Sequence, residues 1–168
     1  DVCSSDLGSA DFNNNSDAGQ VDGVRAIRSP GSTLKPLLYA TAFDKGLITP
    51  KSRVLDVPLN VAGYFPENYD ESYNGNVTIE YALINSLNIP ACKTLDEVGI
   101  KPFIEKLKTA GFSTIARQEK QLGLSLILGG CGTTLEQLTA MYSSFANQGQ
   151  YNALHTLKNA KPTNSSQL

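Results

Sequence analysis

Apolar residues recur at three- and four-residue intervals in five stretches of the chain, each with a start or stop signal for a helix. The first runs from Ser32 to about Lys45. Leu34, Leu37, Leu38, Ala42 and Phe43 supply its apolar face. Pro36 is tolerated in its first turn, and Gly46 stands at the stop position. Further helices are predicted from about Thr78, as cap, to Ser86, between Pro90 and Val98 before Gly99, and from Pro102 to Ala110 before Gly111. The last spans Thr133 to Asn147, with Leu135, Leu138, Met141, Tyr142 and Phe145 at helical spacing and Gly149 as its stop. Val21, Val24 and Ile27 make Val21–Ile27 β-rich and predict a strand, though the alternation is imperfect. Asn13–Gln20 and Ser29-Pro30-Gly31 read as loop and turn. Pro50–Tyr73 is a long irregular stretch, a kind of loop that is often functional. Short helices therefore dominate, with little strand.

Bulk properties narrow the classes. At 168 residues, 40% hydrophobic and 18% charged, the chain has the size and composition of one folded domain. A net charge of −2 without clustered Lys and Arg excludes a nucleic-acid partner. Cys3, Cys92 and Cys131 are scattered and odd in number, and His155 is the single histidine. Neither a disulfide framework nor a zinc site follows, and Cys92 and Cys131 read as small buried apolar residues. No apolar run approaches the roughly 18 residues that span a bilayer. No cofactor is expected. Residues 1–7 lack periodicity and read as a non-native leader, and residues 158–168 read as a polar tail at which a fragment ends.

Two short patterns can carry chemistry. Ser32 and Lys35 stand three apart at a predicted helix N-terminus, so they share a face. A serine there can attack a carbonyl, and a lysine one turn on can take its proton if burial keeps the amine neutral. On spacing alone, the bland reading of a capping serine and a solvated lysine stands ahead. Ser86-Leu87-Asn88 offers a hydroxyl and a carboxamide able to relay a proton and hold a substrate amide. The same pattern recurs as Ser72-Tyr73-Asn74. Tyr64, Phe65, Tyr69 and Tyr73 either line a peptide groove or pack a long loop.

An SxxK element followed by a Ser-containing triplet is the order found in penicillin-binding proteins and class A β-lactamases. The flanking words sharpen this. Arg28-Ser29-Pro30-Gly31-Ser32-Thr33-Leu34-Lys35-Pro36 resembles the nucleophile segment of class A penicillin-binding proteins. Tyr64–Asp70 resembles their next loop, Ala82–Ala91 their second motif, and Leu128-Gly129-Gly130 with Phe145–Gly149 a later structural segment. Within the family the 1C type is most similar, through Gly8–Phe12 and Gly19–Arg25, and the resemblance covers about Gly8 to Tyr151.

The resemblance implies an α+β fold, a transpeptidase domain seen in part over residues 8–157. Its helical subdomain would be largely present and its antiparallel sheet incomplete. It implies that Ser32 is the acylated nucleophile, Lys35 its general base and Ser86 a proton shuttle to the leaving amine. Asn88 would hold the substrate peptide. The partners implied are D-alanyl-D-alanine stem peptides of peptidoglycan and β-lactams. The place of action implied is the periplasmic side of the bacterial membrane, with membrane contact only through other parts of a longer protein. One departure stands against it. No Lys-Thr-Gly or Lys-Ser-Gly follows Asn88, and Lys108-Thr109-Ala110 lacks the glycine. In the family that third motif lies on a strand, binds the substrate carboxylate and flanks the oxyanion hole. A chain without it is expected to be inactive by itself or to act as a non-catalytic peptide- or partner-binding module.

Overall fold

The computed structural model describes residues 11–14, 16, 19–61, 63–154 and 165–168. The 1–7 leader, Cys3 and His155 lie outside them. The chain forms two compact units: Pro30–Glu105 with Gln118–Cys131, and Asp1–Ser29 with Lys106–Arg117 and Gly132–Leu168.

The first of these units opens with a 3-10 turn, Gly31–Leu34, that runs directly into helix α1, Lys35–Asp44. Strand β1, Arg53–Asp56, pairs antiparallel with β2, Gly75–Thr78, in a register that sets Val54 opposite Val77 and Asp56 opposite Gly75. Helix α2, Ile79–Ile84, follows at once because Thr78 caps it, its hydroxyl accepting from Tyr81 N. Helix α3, Asn88–Val98, follows, and α4, Ile100–Thr109, belongs to this unit as far as Glu105. Leu34, Leu38, Tyr39, Ala42, Ile89, Cys92 and Leu95 are completely buried and form the core between α1 and α3. Burying each large apolar side chain contributes roughly 1.5–3 kcal/mol. A second 3-10 segment, Leu124–Leu128, packs on α3.

The other unit contains α5, Ser113–Gln118, up to its last residue, and α6, Leu135–Ala146. Thr134 and Gln137 form a reciprocal capping box at the start of α6. The same Gln137 also accepts from the Thr114 hydroxyl. Strand β3, Gln150–Asn152, pairs antiparallel with β4, Ser165–Gln167.

Four expectations change here. Val21–Ile27 is a turn and not a strand, because Asp22 Oδ1 accepts from the backbone N–H of Val24 and Arg25 and folds the segment back on itself. The irregular Pro50–Tyr73 stretch contains β1, and the polar tail contains β4. In neither case does a local hydrophobic pattern announce the strand, since a two-stranded ladder depends on its distant partner. The apolar stripe of the last helix is also only partly covered. Met141 and Ala140 are buried, whereas Leu135, Tyr142 and Phe145 are exposed.

Helices α1, α2 and α4 end on the same device. In each, the second residue past the cap donates back to a carbonyl one turn inside: Leu47 to Ala42, Leu87 to Ala82, and Phe112 to Leu107. This Schellman turn needs a left-handed residue between cap and donor. Gly46 and Gly111 fill that place in α1 and α4, at φ +66° and +82°. In α2 a serine does, Ser86, at φ +52°. A Cβ in this region costs roughly 1–2 kcal/mol. Gly111→Ala is therefore expected to destabilise by at least about 1 kcal/mol, because its Cβ would also run into the Tyr151 hydroxyl. Ser86→Gly, which relieves the strain, is expected to be about 1 kcal/mol more stable than Ser86→Ala. Chemical denaturation of the three variants checks both.

Candidate functional site

The 3-10 turn before α1 puts Ser32 on the rim of a cleft of about 570 Å³, half-buried, with Ser86, Asn88, Asn68, Tyr69 and Tyr81 also on its walls. No side-chain cap bond is made at either helix start here; Pro30 precedes the 3-10 turn and Leu34 precedes α1. The reading of Ser32 as a capping serine does not hold. Nor does that of a solvated lysine, for Lys35 is 1% exposed. Its backbone N–H donates to Ser32 O, which ties the two residues into one turn.

The Lys35 amine reaches across to the second motif. Nζ lies 2.6 Å from Ser86 O, 2.7 Å from Asn88 Oδ1 and 3.3 Å from Ser86 Oγ. The left-handed turn at Ser86 lies at the end of α2, directly before Asn88 opens α3. Ser72, the other serine of this pattern, has its N–H and hydroxyl engaged by Asp70 instead. The orientation of the Asn88 carboxamide follows from its other contact, since Nδ2 donates to Glu67 O at 2.7 Å. Its oxygen must then face Lys35.

Burial holds the Lys35 amine down to about 8 from its ordinary 10.5 by penalising the ammonium, and a charge on Cys92 would act the other way. Burial pushes the Cys92 thiol itself up to about 11, so it remains neutral where Lys35 titrates. The neutral amine has two N–H groups and one lone pair. Ser86 O and Asn88 Oδ1 can only accept, so in the neutral amine they occupy both N–H groups, and the lone pair has only the longer contact, 3.3 Å, to the Ser86 hydroxyl. A lysine with this environment can take a proton near neutral pH.

Behind the second motif stands a set of residues centred on Asp56, which no sequence pattern marked, and Asn68, to which the sequence assigns no role. Asn68 Oδ1 accepts from Asn88 N at 2.8 Å, at the first residue of α3. The Asn68 Nδ2 donates to both oxygens of Asp56, at 2.9 and 3.0 Å, and to Ser72 O at 2.9 Å. Asn74 adds its backbone N–H and its side-chain Nδ2, each 2.9 Å from Asp56 Oδ2. Asp56 is fully buried, on the same face of β1 as Val54, where an apolar side chain would ordinarily sit. An aspartate inside the apolar run Val54–Pro58 was the available signal, but it points to nothing without its partners.

The remaining candidates fall out as follows. Phe65 and Tyr69 are exposed, Tyr69 fully, so they do not pack the loop, and Tyr69 lines the cleft. Lys108-Thr109-Ala110 closes α4 with Ala110 buried. Cys92 and Cys131 are buried free thiols.

The profile of the penicillin binding protein transpeptidase domain matches residues 7–167. Penicillin-binding protein 1C of Escherichia coli K12 is 44% identical over 144 residues, which is 86% of this chain and 19% of that protein. Among solved structures, penicillin-binding protein 1A of Haemophilus influenzae superimposes with a TM-score of 0.68 at 26% identity, over 83% of this chain and 21% of that one. The PonA1 protein of Mycobacterium tuberculosis, in complex with penicillin V, shares the fold with a TM-score of 0.70 at 23% identity, over 80% of this chain and 39% of that one. The chain thus spans about a fifth of the length of the curated relative. A partial α+β fold of small antiparallel sheets and short helices, with the profile match across nearly its whole length, makes this chain a member of the penicillin-binding protein transpeptidase domain family.

Proposed function

We propose that the protein carrying this sequence is a DD-transpeptidase that cross-links peptidoglycan stem peptides through an acyl-serine at Ser32 and is acylated there by β-lactams. The observation that carries this reading is the buried Lys35 amine, held near 8, one turn after Ser32 and bonded to Ser86 and Asn88.

In this mechanism Ser32 Oγ attacks the carbonyl carbon of the penultimate D-alanine, and its proton passes to the Lys35 lone pair. The peptide C–N bond breaks, and Ser86 delivers a proton to the departing amine of D-alanine while taking up in its place the proton held by Lys35, whose Nζ lies 3.3 Å from Ser86 Oγ. An amine of a second stem then attacks the acyl-serine, forms the cross-linking amide and returns Ser32 to its hydroxyl form. Asn88 has one N–H left beyond its bond to Glu67 O and can donate it to the substrate peptide. The activity belongs on the periplasmic side of the bacterial membrane. Among the described residues no helix is long and apolar enough to cross a membrane, so attachment would come from other parts of a longer protein.

The second reading, a non-catalytic module that binds peptide or partner proteins, is favoured by the lack of Lys-Thr-Gly in this chain. Intact mass after incubation with a penicillin, followed by peptide mapping, separates the two. In a longer protein that supplies a Lys-Thr-Gly strand, the adduct is expected on Ser32, and Ser32→Ala is expected to abolish it. Capture that survives in Ser32→Ala ends the acyl-serine reading. The 168-residue chain alone is expected to react at least about a hundred-fold more slowly, because donors around the developing oxyanion are incomplete.

The pH dependence has a definite sign. Lys35 acts as base only when deprotonated, so the rate of adduct formation should rise with pH, with a midpoint at about 8. Stopped acylation reactions across that range check this, and a flat profile removes Lys35 from the role.

A further inference from the structure

We infer that Asp56, a buried carboxylate at the end of β1, is the positioning residue that sets the geometry of the second motif around Lys35. This inference rests on the reading of Lys35 as the base. Three hydrogen bonds run in one direction between the two residues. Lys35 Nζ donates to Asn88 Oδ1, Asn88 N donates to Asn68 Oδ1, and Asn68 Nδ2 donates to Asp56. The last two meet on the single carboxamide of Asn68 and strengthen one another, and the first two meet at one residue, Asn88.

The choice of a carboxylate follows from donor and acceptor types. An asparagine amide can be turned end for end at little cost unless its partners differ. Both Asp56 oxygens accept and neither donates, so only the NH2 end of Asn68 can face them. The oxygen of Asn68 is then left facing the N–H of Asn88, which fixes the first residue of α3. Asn74 holds Asp56 from the other side with two more N–H donors. The carboxylate acts on Lys35 through this chain of partners, and burial is the main influence on the amine itself.

Asp56→Asn breaks this logic with almost no change of shape. One oxygen becomes an NH2 group, set against the NH2 of Asn68. Asn68 must turn or withdraw, the start of α3 loosens, and water gains access to the Lys35 amine. Desolvation is the main cause of the lowered Lys35 value, so its relief moves the amine back toward 10.5.

The test is competitive acetylation of the full chain with trace acetic anhydride across a pH series, with Lys35 read by peptide mass. Lys35 of the wild type should titrate at about 8. In Asp56→Asn the midpoint should rise by about one pH unit or more. Ile104→Ala, a core cavity outside the cleft, should lose stability and leave the midpoint unchanged, which a merely structural role for Asp56 would also predict of Asp56→Asn. A folded Asp56→Asn variant titrating with the wild type overturns the inference. Should Asp56→Asn fail to fold, Asn68→Ala cuts the same link while leaving Asp56 bonded to Asn74, and it must raise the midpoint equally or the inference falls. In a longer protein that supplies Lys-Thr-Gly, Asp56→Asn should also slow Ser32 acylation by about ten- to a hundred-fold. A wild type that forms no adduct there overturns the acyl-serine reading alone, and the Lys35 titration still decides Asp56.

Discussion

Taking a lysine amine out of water is the constraint on which the cleft is built. An ammonium buried without partners costs several kcal/mol, and a neutral amine still needs its two N–H groups accepted. Lys35 is sealed by the core between α1 and α3, and its acceptors come from a segment more than fifty residues away, Ser86 and Asn88. The end of α2 and the contacts of Asn88 with Asn68 and Glu67 hold those acceptors in place. The Schellman turn at the end of α2 requires a left-handed residue, and Ser86 fills it although glycine serves the same turn in α1 and α4. A side chain kept where it strains the backbone is the kind of local cost found at functional positions.

A second buried ionisable side chain answers the first. Asp56 sits on the inward face of β1 and is tolerated there because four hydrogen bonds from Asn68 and Asn74 take the place of water. Asn68 joins it to the N-terminal residue of α3. A basic group and an acidic one, both buried behind the cleft walls, are thus linked by carboxamides and a backbone N–H. Polar networks of this sort are rigid when every member is satisfied and fragile when one is not.

Much of the helical framework was legible in the chain. Glycine and proline punctuation located α1, α3, α4 and α6 to within a few residues, because these signals act over one helical turn. Strands were not legible. The Val21–Ile27 prediction failed since an aspartate hydrogen-bonding its own backbone outweighed three β-prone side chains. The strands Arg53–Asp56 and Ser165–Gln167 were missed because each is short and owes its existence to a partner elsewhere in the chain.

At the cleft, the sequence by itself determined which residue types stand together in order: Ser32 and Lys35 one turn apart, then Ser86 and Asn88, inside wording that resembles one family. That spacing is local, so it survives without knowledge of the fold. Tertiary structure alone decided that Lys35 is buried and not solvated, that its amine bonds to Ser86 and Asn88, and that Asp56 and Asn68 stand behind Asn88. Burial and hydrogen-bond direction are properties of contacts between segments tens of residues apart, and no reading of one segment contains them.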